Sequence, residues 1–276
     1  MEQHQSEVEQ GQRFKFGDNW QCFLEVLNED RISIAEKSLQ QMLGVDSLQG
    51  KTFLDAGSGS GLFSLAARRL GATVHSFDYD PQSVACTAEL KQRYFTNDTK
   101  WVVEEGSVLN KDYLVQLGKF DIVYSWGVLH HTGAMWEALD NVGLMASPNG
   151  GKLFIAIYND EGALSRFWFQ VKRLFNSSRV GRRAIKTIFY PWFMVKTSLA
   201  GIIENHNPLA KFCNYQEKRG MSIMHDWDDW LGGYPFEVAK PEVLLELYRP
   251  KGFELMSLKT TNRLGCNELV FVHHQH

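Results

Sequence analysis

The sequence predicts an α/β fold in which a doubly wound, largely parallel sheet carries helices on both faces. Three observations support this prediction. Lys51–Asp80 reads as a strand, a glycine turn, a helix and a second strand, which together make one β-α-β unit. Apolar strand patterns then alternate with helical patterns as far as Tyr158. The stretch 161–238 has a different composition, so we expect it to be an insertion into this fold.

The β-α-β unit predicts a ligand that contains adenosine. Glycines at alternate positions follow its first strand, and because glycine has no Cβ the backbone can pass close to a bound molecule. Asp78 follows the second strand, where a carboxylate can accept hydrogen bonds from both hydroxyls of a ribose. A dinucleotide is less well supported, because the fingerprint G-x-G-x-x-G needs Gly or Ala where this chain has Leu62. A purely structural glycine turn is the remaining alternative.

Two motifs carry a resemblance to a known family. Leu54–Gly61 resembles the first motif of class I S-adenosylmethionine (SAM) dependent methyltransferases, and Phe77–Asp80 resembles the second. The resemblance covers roughly residues 40–160 and 238–274 and implies a Rossmann-like seven-stranded sheet with a reversed C-terminal hairpin. The helical insertion would then cap the substrate.

The same resemblance implies roles for particular residues. Gly57 and Gly59 would lie against the methionine part of SAM, or of its product S-adenosylhomocysteine; Asp78 would hold the ribose, and Asp55 would support the turn. The other expected cofactor contacts are Trp20, Ser58, Gly61, Tyr79, Ser107, Val108 and Ser125. Many family members have Gly-Asp where this chain has Gly106-Ser107, so we expect the Ser107 hydroxyl and the Val108 backbone to contact the adenine instead.

The expected chemistry is methyl transfer to a small molecule, at a hydroxyl, with nitrogen or sulfur as alternatives. Transfer from a sulfonium needs alignment and a dry cavity, and a hydroxyl acceptor also needs a base. His130 follows the fourth strand, and some members of the family use a histidine at a similar position. His225 lies in the insertion, in an aromatic stretch (219–237) that we expect to be loop-like, beside Asp226, which can orient or replace it. A structural role for each histidine is the alternative. No metal site is predicted.

The insertion combines positive charge with aromatic side chains. Between Gly162 and Ile203 there are eight basic residues and no Asp or Glu. This composition predicts an anionic or lipid-linked substrate, or peripheral contact with an anionic membrane through residues 166–196. A solvated basic face is the alternative. We divide the chain into N-terminal lid helices (1–45), a SAM-binding core (46–160), the cap (161–238) and the end of the core (239–276), and we expect residues 1–12 to be loose.

Composition limits the remaining possibilities. The net charge of −3 gives no reason to expect nucleic acid as a partner, and the Asn-Pro-Pro-Tyr type of motif for base methylation is missing after the fourth strand. The four cysteines form no C-x-x-C pair, and no apolar run approaches the roughly 20 residues of a membrane span, so we predict a cytoplasmic protein. The alternatives to a methyltransferase are an NAD-dependent oxidoreductase and a noncatalytic SAM- or nucleotide-binding module with a membrane-facing basic cap. The sequence makes no prediction of the oligomeric state.

Overall fold

A computed structural model describes residues 2–205, 207 and 223–274. Its strands are β1 (Thr52–Ala56), β2 (Thr73–Asp78), β3 (Trp101–Glu105), β4 (Ile122–Trp126), β5 (Asn149–Tyr158), β6 (Phe253–Lys259) and β7 (Cys266–His274). They form one sheet in the order β3-β2-β1-β4-β5-β7-β6, in which β7 runs antiparallel to both of its neighbours. The predicted Rossmann-like sheet with a reversed C-terminal hairpin is confirmed.

Helices flank the sheet and extend beyond it. They are α1 (Glu2–Glu9), α2 (Gly17–Glu25), α3 (Glu29–Leu43), α4 (Leu62–Arg69), α5 (Pro81–Tyr94), α6 (Lys111–Leu117), α7 (Met135–Met145), α8 (Ala163–Ser177), α9 (Arg179–Asn205), α10 (Ile223–Gly232) and α11 (Pro241–Tyr248), with short 3₁₀ turns at Leu129–His131 and Arg249–Lys251. No helix in the described ranges is long and apolar enough to cross a membrane.

The central strands are buried on both faces, as expected for a parallel sheet covered by helices. Phe53 and Trp101 belong to the apolar core on one face, and Leu54 and Phe77 to the core on the other. Parallel pairing sets Ala56 opposite Phe77. Because β1, β2 and β4 therefore end at one edge of the sheet, the turns that follow them meet there, where ligands bind in open α/β sheets.

Two expectations about irregular segments were wrong. Residues 1–12 were expected to be loose, yet α1 occupies Glu2–Glu9, with His4 buried and Tyr79 donating a hydrogen bond to Glu7 at 3.0 Å. Gln and Glu are good helix formers, and the contacts of His4 and Glu7 with distant parts of the chain stabilise the helix further. The aromatic stretch near residue 225 was expected to be loop-like but contains α10, whose Trp227 and Leu231 are buried.

The insertion has an apolar core of its own. Aromatic and aliphatic side chains of α8, α9 and α10 form it; the fully or largely buried ones include Trp168, Phe175, Phe193, Trp227 and Leu231. The chain returns to the sheet through two backbone hydrogen bonds, from Glu237 to the His130 carbonyl and from Ala239 to the Tyr158 carbonyl, both 3.0 Å long. The cap is thus attached at the carboxyl ends of β4 and β5. The domain boundaries themselves remain a prediction.

Candidate functional site

The turn between β1 and α4 is shaped by glycine backbone conformations. Gly57, Gly59 and Gly61 have φ values of +89°, +53° and +77°, in the left-handed region that glycine adopts without strain. The amides of Gly57 and Ser58 both donate to the Phe77 carbonyl, at 2.9 and 3.0 Å, which ties the turn to the end of β2. This explains why the sequence needs glycine at alternate positions.

Two side chains close over the bare backbone of this turn. A Cβ built on Gly57 would lie 2.4 Å from a Val128 methyl group, and one built on Gly59 would lie 3.2 Å from the Trp20 ring. Neither position has space for a side chain. The turn therefore presents backbone to a narrow space between the end of β4 and the N-terminal helix α2, as expected of a cradle for a flat or chain-like molecule.

Asp78 lies directly beside the turn. Its carboxylate accepts hydrogen bonds from the amides of Gly59 and Asp80, both at 2.9 Å. Burial raises the pKa of this carboxyl group to about 6, against the opposing effect of those amides. Asp78 is therefore mainly ionised at neutral pH, and its position after β2 fits the predicted recognition of a ribose.

Asp55 is buried behind the turn and joins three elements of the core. It accepts a 2.5 Å hydrogen bond from the Ser64 hydroxyl on α4, which contacts the Ser76 hydroxyl on β2 at 2.7 Å. The Trp101 indole donates to Ser76 at 2.9 Å. Burial raises the Asp55 pKa to about 7, and the nearby charge of Asp78 adds to this rise. The position fits the predicted supporting role.

Several of the other expected cofactor residues have partners within the protein. The Ser58 hydroxyl contacts Thr87 at 2.9 Å, and the Ser125 hydroxyl donates to the Ala56 carbonyl at 2.8 Å, which links β4 to β1. The Ser107 hydroxyl accepts from the Leu109 amide, and the Val108 carbonyl accepts from Asn141. The roles of Ser107, Val108 and Ser125 in cofactor contact therefore remain predictions.

The N-terminal segment covers this end of the site, and its main contact was not predicted. Arg13 donates to Glu7 at 2.8 Å and to the His131 carbonyl at 2.9 Å, and its guanidinium lies 4.9 Å from the centre of the Tyr79 ring. The Gly17 amide, at the start of α2, donates to Asp80 at 2.8 Å. One arginine thus bridges the ends of β2 and β4. No local pattern in the sequence marks Arg13 for this role.

The second half of the site follows β4. His130 and His131 are both buried in the 3₁₀ turn, and the His130 ring lies 4.1 Å from the Tyr158 ring. The His131 Nδ1 is 2.6 Å from the Pro235 carbonyl, whereas neither ring nitrogen of His130 has a hydrogen-bond partner. Burial lowers the pKa of His130 well below its usual range and that of His131 to about 3. Both rings are therefore neutral at physiological pH.

The cap places a buried lysine beside these histidines. Lys172 is 1% exposed; its ammonium donates to the Trp230 carbonyl and lies 4.7 and 5.0 Å from the centres of the Trp230 and Phe236 rings. Burial lowers its pKa to about 7, although the Asp229 charge opposes the change. The sequence identifies Lys172 only as one of the eight basic residues of the insertion. Its helical spacing from the buried Trp168 and Phe175 is the signal that could have identified it.

The two cap residues proposed for catalysis are only partly described. His225 lies within α10, but its side chain is outside the described part of the structure. Asp226 lies in the first turn of α10, is partly buried, and its negative charge contributes to a raised pKa of Tyr158. Asp226 is therefore within electrostatic range of Tyr158, whose ring contacts that of His130.

The fold and site together define an α/β protein with a candidate ligand site at the glycine turn, on the carboxyl edge of its sheet. Residues 54–152 match the methyltransferase domain family. The sheet order with its reversed terminal strands is that of the class I methyltransferases, so the chain has the class I methyltransferase fold.

Individual relatives agree with this assignment. The ribosomal protein L11 methyltransferase of Methylococcus capsulatus is 38% identical over 73 residues, which are 26% of this chain and only 25% of that enzyme. The magnesium protoporphyrin IX methyltransferase of Synechocystis PCC 6803 has a TM-score of 0.52 at 13% identity, over 88% of this chain and 83% of that one. An O-methyltransferase family protein from Burkholderia thailandensis has a TM-score of 0.50 at 13% identity, over 88% and 58%. At such identities the structural likeness establishes the fold.

Proposed function

We propose that this protein transfers the methyl group of SAM to a hydroxyl of a small molecule. The observation that carries the proposal is the pairing of a side-chain-free turn at Gly57 and Gly59 with the Asp78 carboxylate beside it. The solved Synechocystis methyltransferase was crystallised with bound S-adenosylhomocysteine, which supports the same cofactor here. The family match and the fold favour this function over an NAD-dependent oxidoreductase.

The residues present fit this cofactor. The Asp78 carboxylate would accept hydrogen bonds from the ribose hydroxyls, and the Tyr79 ring beside it offers a flat surface for the adenine. The Gly57 turn would take the methionine part, with Trp20 covering it. SAM, when bound, supplies a methyl group on a positively charged sulfur, which is open to attack by an oxygen nucleophile. The protein then has to align the acceptor, exclude water and receive the acceptor's proton.

We assign the proton-accepting role to His130. It follows β4 at the edge where the turn lies, it is neutral, and its two ring nitrogens are buried without a side-chain or backbone partner, so the unprotonated nitrogen can accept a hydrogen bond from an acceptor hydroxyl. The Tyr158 ring packed against it shields the site from water. His225 and Asp226, on α10, are the alternative group for this role.

The acceptor is proposed to be a small molecule because the cap closes the edge of the sheet. The backbone amides of Glu237 and Ala239 join the cap directly to the ends of β4 and β5, and the apolar core of the cap lies next to this junction. Oxygen is proposed as the acceptor atom because a hydroxyl, unlike a neutral amine or the more acidic thiol, depends on a base to become nucleophilic, and neutral His130 is assigned as that base.

Calorimetry with SAM, S-adenosylhomocysteine and NAD is the direct test of the cofactor. We expect saturable binding of the first two and none of NAD. Incubation of the protein with SAM labelled in its methyl group and an extract of small molecules should then yield a labelled product that alkali does not hydrolyse as an ester. Binding of NAD alone would overturn the proposal, and binding of SAM without any transfer would leave a noncatalytic SAM-binding module.

A further inference from the structure

We propose that the ammonium group of Lys172 binds a negatively charged group of the methyl acceptor, and that the acceptor is an aromatic acid. The inference rests on the proposed methyl transfer and deepens it, because it names the acceptor class. It starts from the buried position of Lys172 in the cap, where the Trp230 carbonyl accepts from its ammonium and the Asp229 charge lies nearby. A buried ammonium is costly to desolvate, and an apolar side chain could fill the same space in the α8 core.

The position of Lys172 is at the acceptor end of the site. A Cβ built on Gly233 would lie 3.5 Å from the Lys172 Nζ and 3.3 Å from the His131 Cε1, so these two groups approach the same glycine. The positive charge of Lys172 also contributes to the lowered pKa of both His130 and His131. The ammonium is therefore close to the residue assigned as the proton acceptor.

The surroundings of Lys172 favour a flat ligand with an acidic group. The rings of Tyr158, Trp168, Trp230 and Phe236 lie in one connected group of aromatic contacts around it. An ammonium has three N–H donors, and the Trp230 carbonyl takes one of them. A carboxylate or phenolate placed among these rings would pair with the ammonium away from water, where charge-assisted hydrogen bonds are strong.

A matched pair of ligands tests the inference on the unaltered protein. With S-adenosylhomocysteine bound, 4-hydroxybenzoate and 4-hydroxybenzamide, together with the acid and amide forms of hydroxycinnamic acid, are titrated while tryptophan fluorescence is recorded. We expect the acids to bind about tenfold or more tightly than the amides, the least that a charged hydrogen bond would give. Equal binding of acid and amide, or no saturable binding of either acid, would overturn the inference.

Two lysine variants test whether the preference for the acid over the amide depends on Lys172. Lys172→Met is expected to remove the preference for the acid and to leave SAM binding unchanged. Lys186→Met is the control, because Lys186 also joins cap helices, through a 2.7 Å ion pair with Asp228; it should keep the preference. If Lys172→Met does not fold, the ligand pairs still decide the question. A failure of SAM to bind the unaltered protein would instead refute the proposed function.

A second, independent observation concerns the outer face of α9. Apolar side chains, most of them large, recur there at helical spacing and are exposed, and exposed basic side chains lie beside them on α9 and on α8. The apolar residues are Val180, Ala184, Ile188, Trp192, Val195, Leu199 and Ile202. The exposed basic residues of α8 and α9 are Arg166, Arg173, Arg179, Arg182, Arg183 and Lys196. Within the described ranges, none of these six pairs with an acidic residue.

We infer that this face of α9 binds the surface of an anionic membrane. An exposed apolar stripe of this length is unusual on a protein surface and marks an interaction site. A partner with negative charge and an apolar interior complements both parts of it, and a lipid bilayer with acidic headgroups has this chemistry. Trp192, with the Lys196 ammonium 5.3 Å from its ring centre, suits the boundary between headgroups and acyl chains.

Vesicle flotation tests this surface without reference to catalysis. We expect binding to phosphatidylcholine vesicles that contain phosphatidylglycerol, a decrease as salt is added, and no binding to phosphatidylcholine alone. Arg182→Glu combined with Arg183→Glu should weaken binding about tenfold or more, since each charge near such a surface contributes appreciably. Binding that ignores lipid charge, or no binding at low salt, would overturn the inference.

Substitutions at two equally exposed isoleucines test whether vesicle binding depends on the apolar residues of α9 or on exposed apolar surface in general. Ile188 on α9 and Ile34 on α3 are 64% and 66% exposed. We expect Ile188→Glu to abolish flotation and Ile34→Glu to leave it intact. Equal effects of the two changes would contradict the assignment to α9. Light scattering tests whether a second copy of the chain covers this face instead. That reading would hold if the unaltered protein were a dimer, if Ile188→Glu dissociated it, and if neither protein bound vesicles.

Discussion

The two ends of the site are built in different ways. At the turn between β1 and α4, the proposed binding surface is bare backbone with one carboxylate beside it, held by hydrogen bonds between residues close to each other in one β-α-β unit. At the cap, a neutral histidine and a buried lysine come from separate parts of the chain and are held by aromatic packing. The first end suits recognition of an invariant cofactor, whereas the second can change its ligand by changing side chains.

Gly57→Ala should be the most damaging single change, because the cofactor end depends on backbone conformation. The new methyl group would meet Val128 at 2.4 Å, in a left-handed conformation that alanine disfavours. We expect a loss of about 2–4 kcal/mol in the free energy of unfolding, from backbone strain and overpacking together, and weaker SAM binding. Urea unfolding and calorimetry measure the two effects.

Gly50→Ala is the matched control for this change. Gly50 has φ +76° but nothing within 4 Å of the built Cβ, so only the backbone strain of about 1–2 kcal/mol should remain. Equal losses in the free energy of unfolding for Gly57→Ala and Gly50→Ala would show that the contact with Val128 adds nothing to the cost of a side chain at Gly57.

A change at the acceptor end should separate turnover from cofactor binding. His130→Gln keeps a polar side chain but removes the imidazole, and we expect methyl transfer to fall by about a hundredfold, as for other positioned bases, with SAM affinity unchanged. His273→Gln is the control, since that histidine contacts the Ala146 carbonyl at a distance from the site.

His225→Ala tests the competing assignment in the same assay. A large loss with His225→Ala and none with His130→Gln would move the base from the end of β4 to α10. A loss of SAM binding with His130→Gln would mean that His130 also contributes to cofactor binding, and that the two ends of the site do not act independently.

Asp78→Asn should weaken SAM binding without stopping the folding of the sheet. The amide keeps the shape of the carboxylate but loses its charge and one acceptor, and we expect the dissociation constant to rise about ten- to a hundredfold, the range for a hydrogen bond to a charged group. Asp121→Asn is the control. Asp121 also accepts a backbone amide, that of Thr52 at 2.9 Å, but it lies at the opposite end of the strands. Similar losses of SAM affinity in both variants would refute a specific role for Asp78.

The contrast between the two ends explains which parts of the molecule the sequence could predict. Gly57, Gly59 and Asp78 are separated by short, fixed spacings, and their strand and helix context is visible in local hydrophobic periodicity. The sheet and its closing hairpin followed from the same patterns and from the family resemblance. These features depend on backbone geometry, which local sequence largely determines.

The acceptor end depends on contacts between distant parts of the chain. Lys172 and Trp230 are separated by 58 residues, and Arg13 and the His131 carbonyl by 118. The composition of the insertion does not distinguish Lys172 from its exposed basic residues, because it counts a buried lysine and a solvated one alike. Residues 1–12 were misjudged for a related reason: their helix is stabilised by contacts such as that between Glu7 and Tyr79, which no local pattern records.

The smallest expected effect is the dependence of SAM affinity on pH, which again separates the two ends. The folded-state pKa of Asp78 is raised to about 6. A raised carboxyl pKa means that protonation stabilises the ligand-free fold, a contribution lost as the pH rises through about 6. Ribose recognition uses the ionised form, so SAM binding should weaken by up to about tenfold as the pH falls from 7 to 5.

The acceptor end should not contribute to that change in cofactor affinity. His131, with a pKa of about 3, stays neutral throughout this range, and Lys172, with a pKa of about 7, belongs to the other ligand. Calorimetric titrations with SAM at several pH values should therefore show an inflection near pH 6 that Asp78→Asn removes. Asp55, with a pKa of about 7, belongs to the same end of the site, so Asp55→Asn is the control that should keep this inflection. An inflection near pH 6 that persists in Asp78→Asn would refute the assignment of the titration to Asp78.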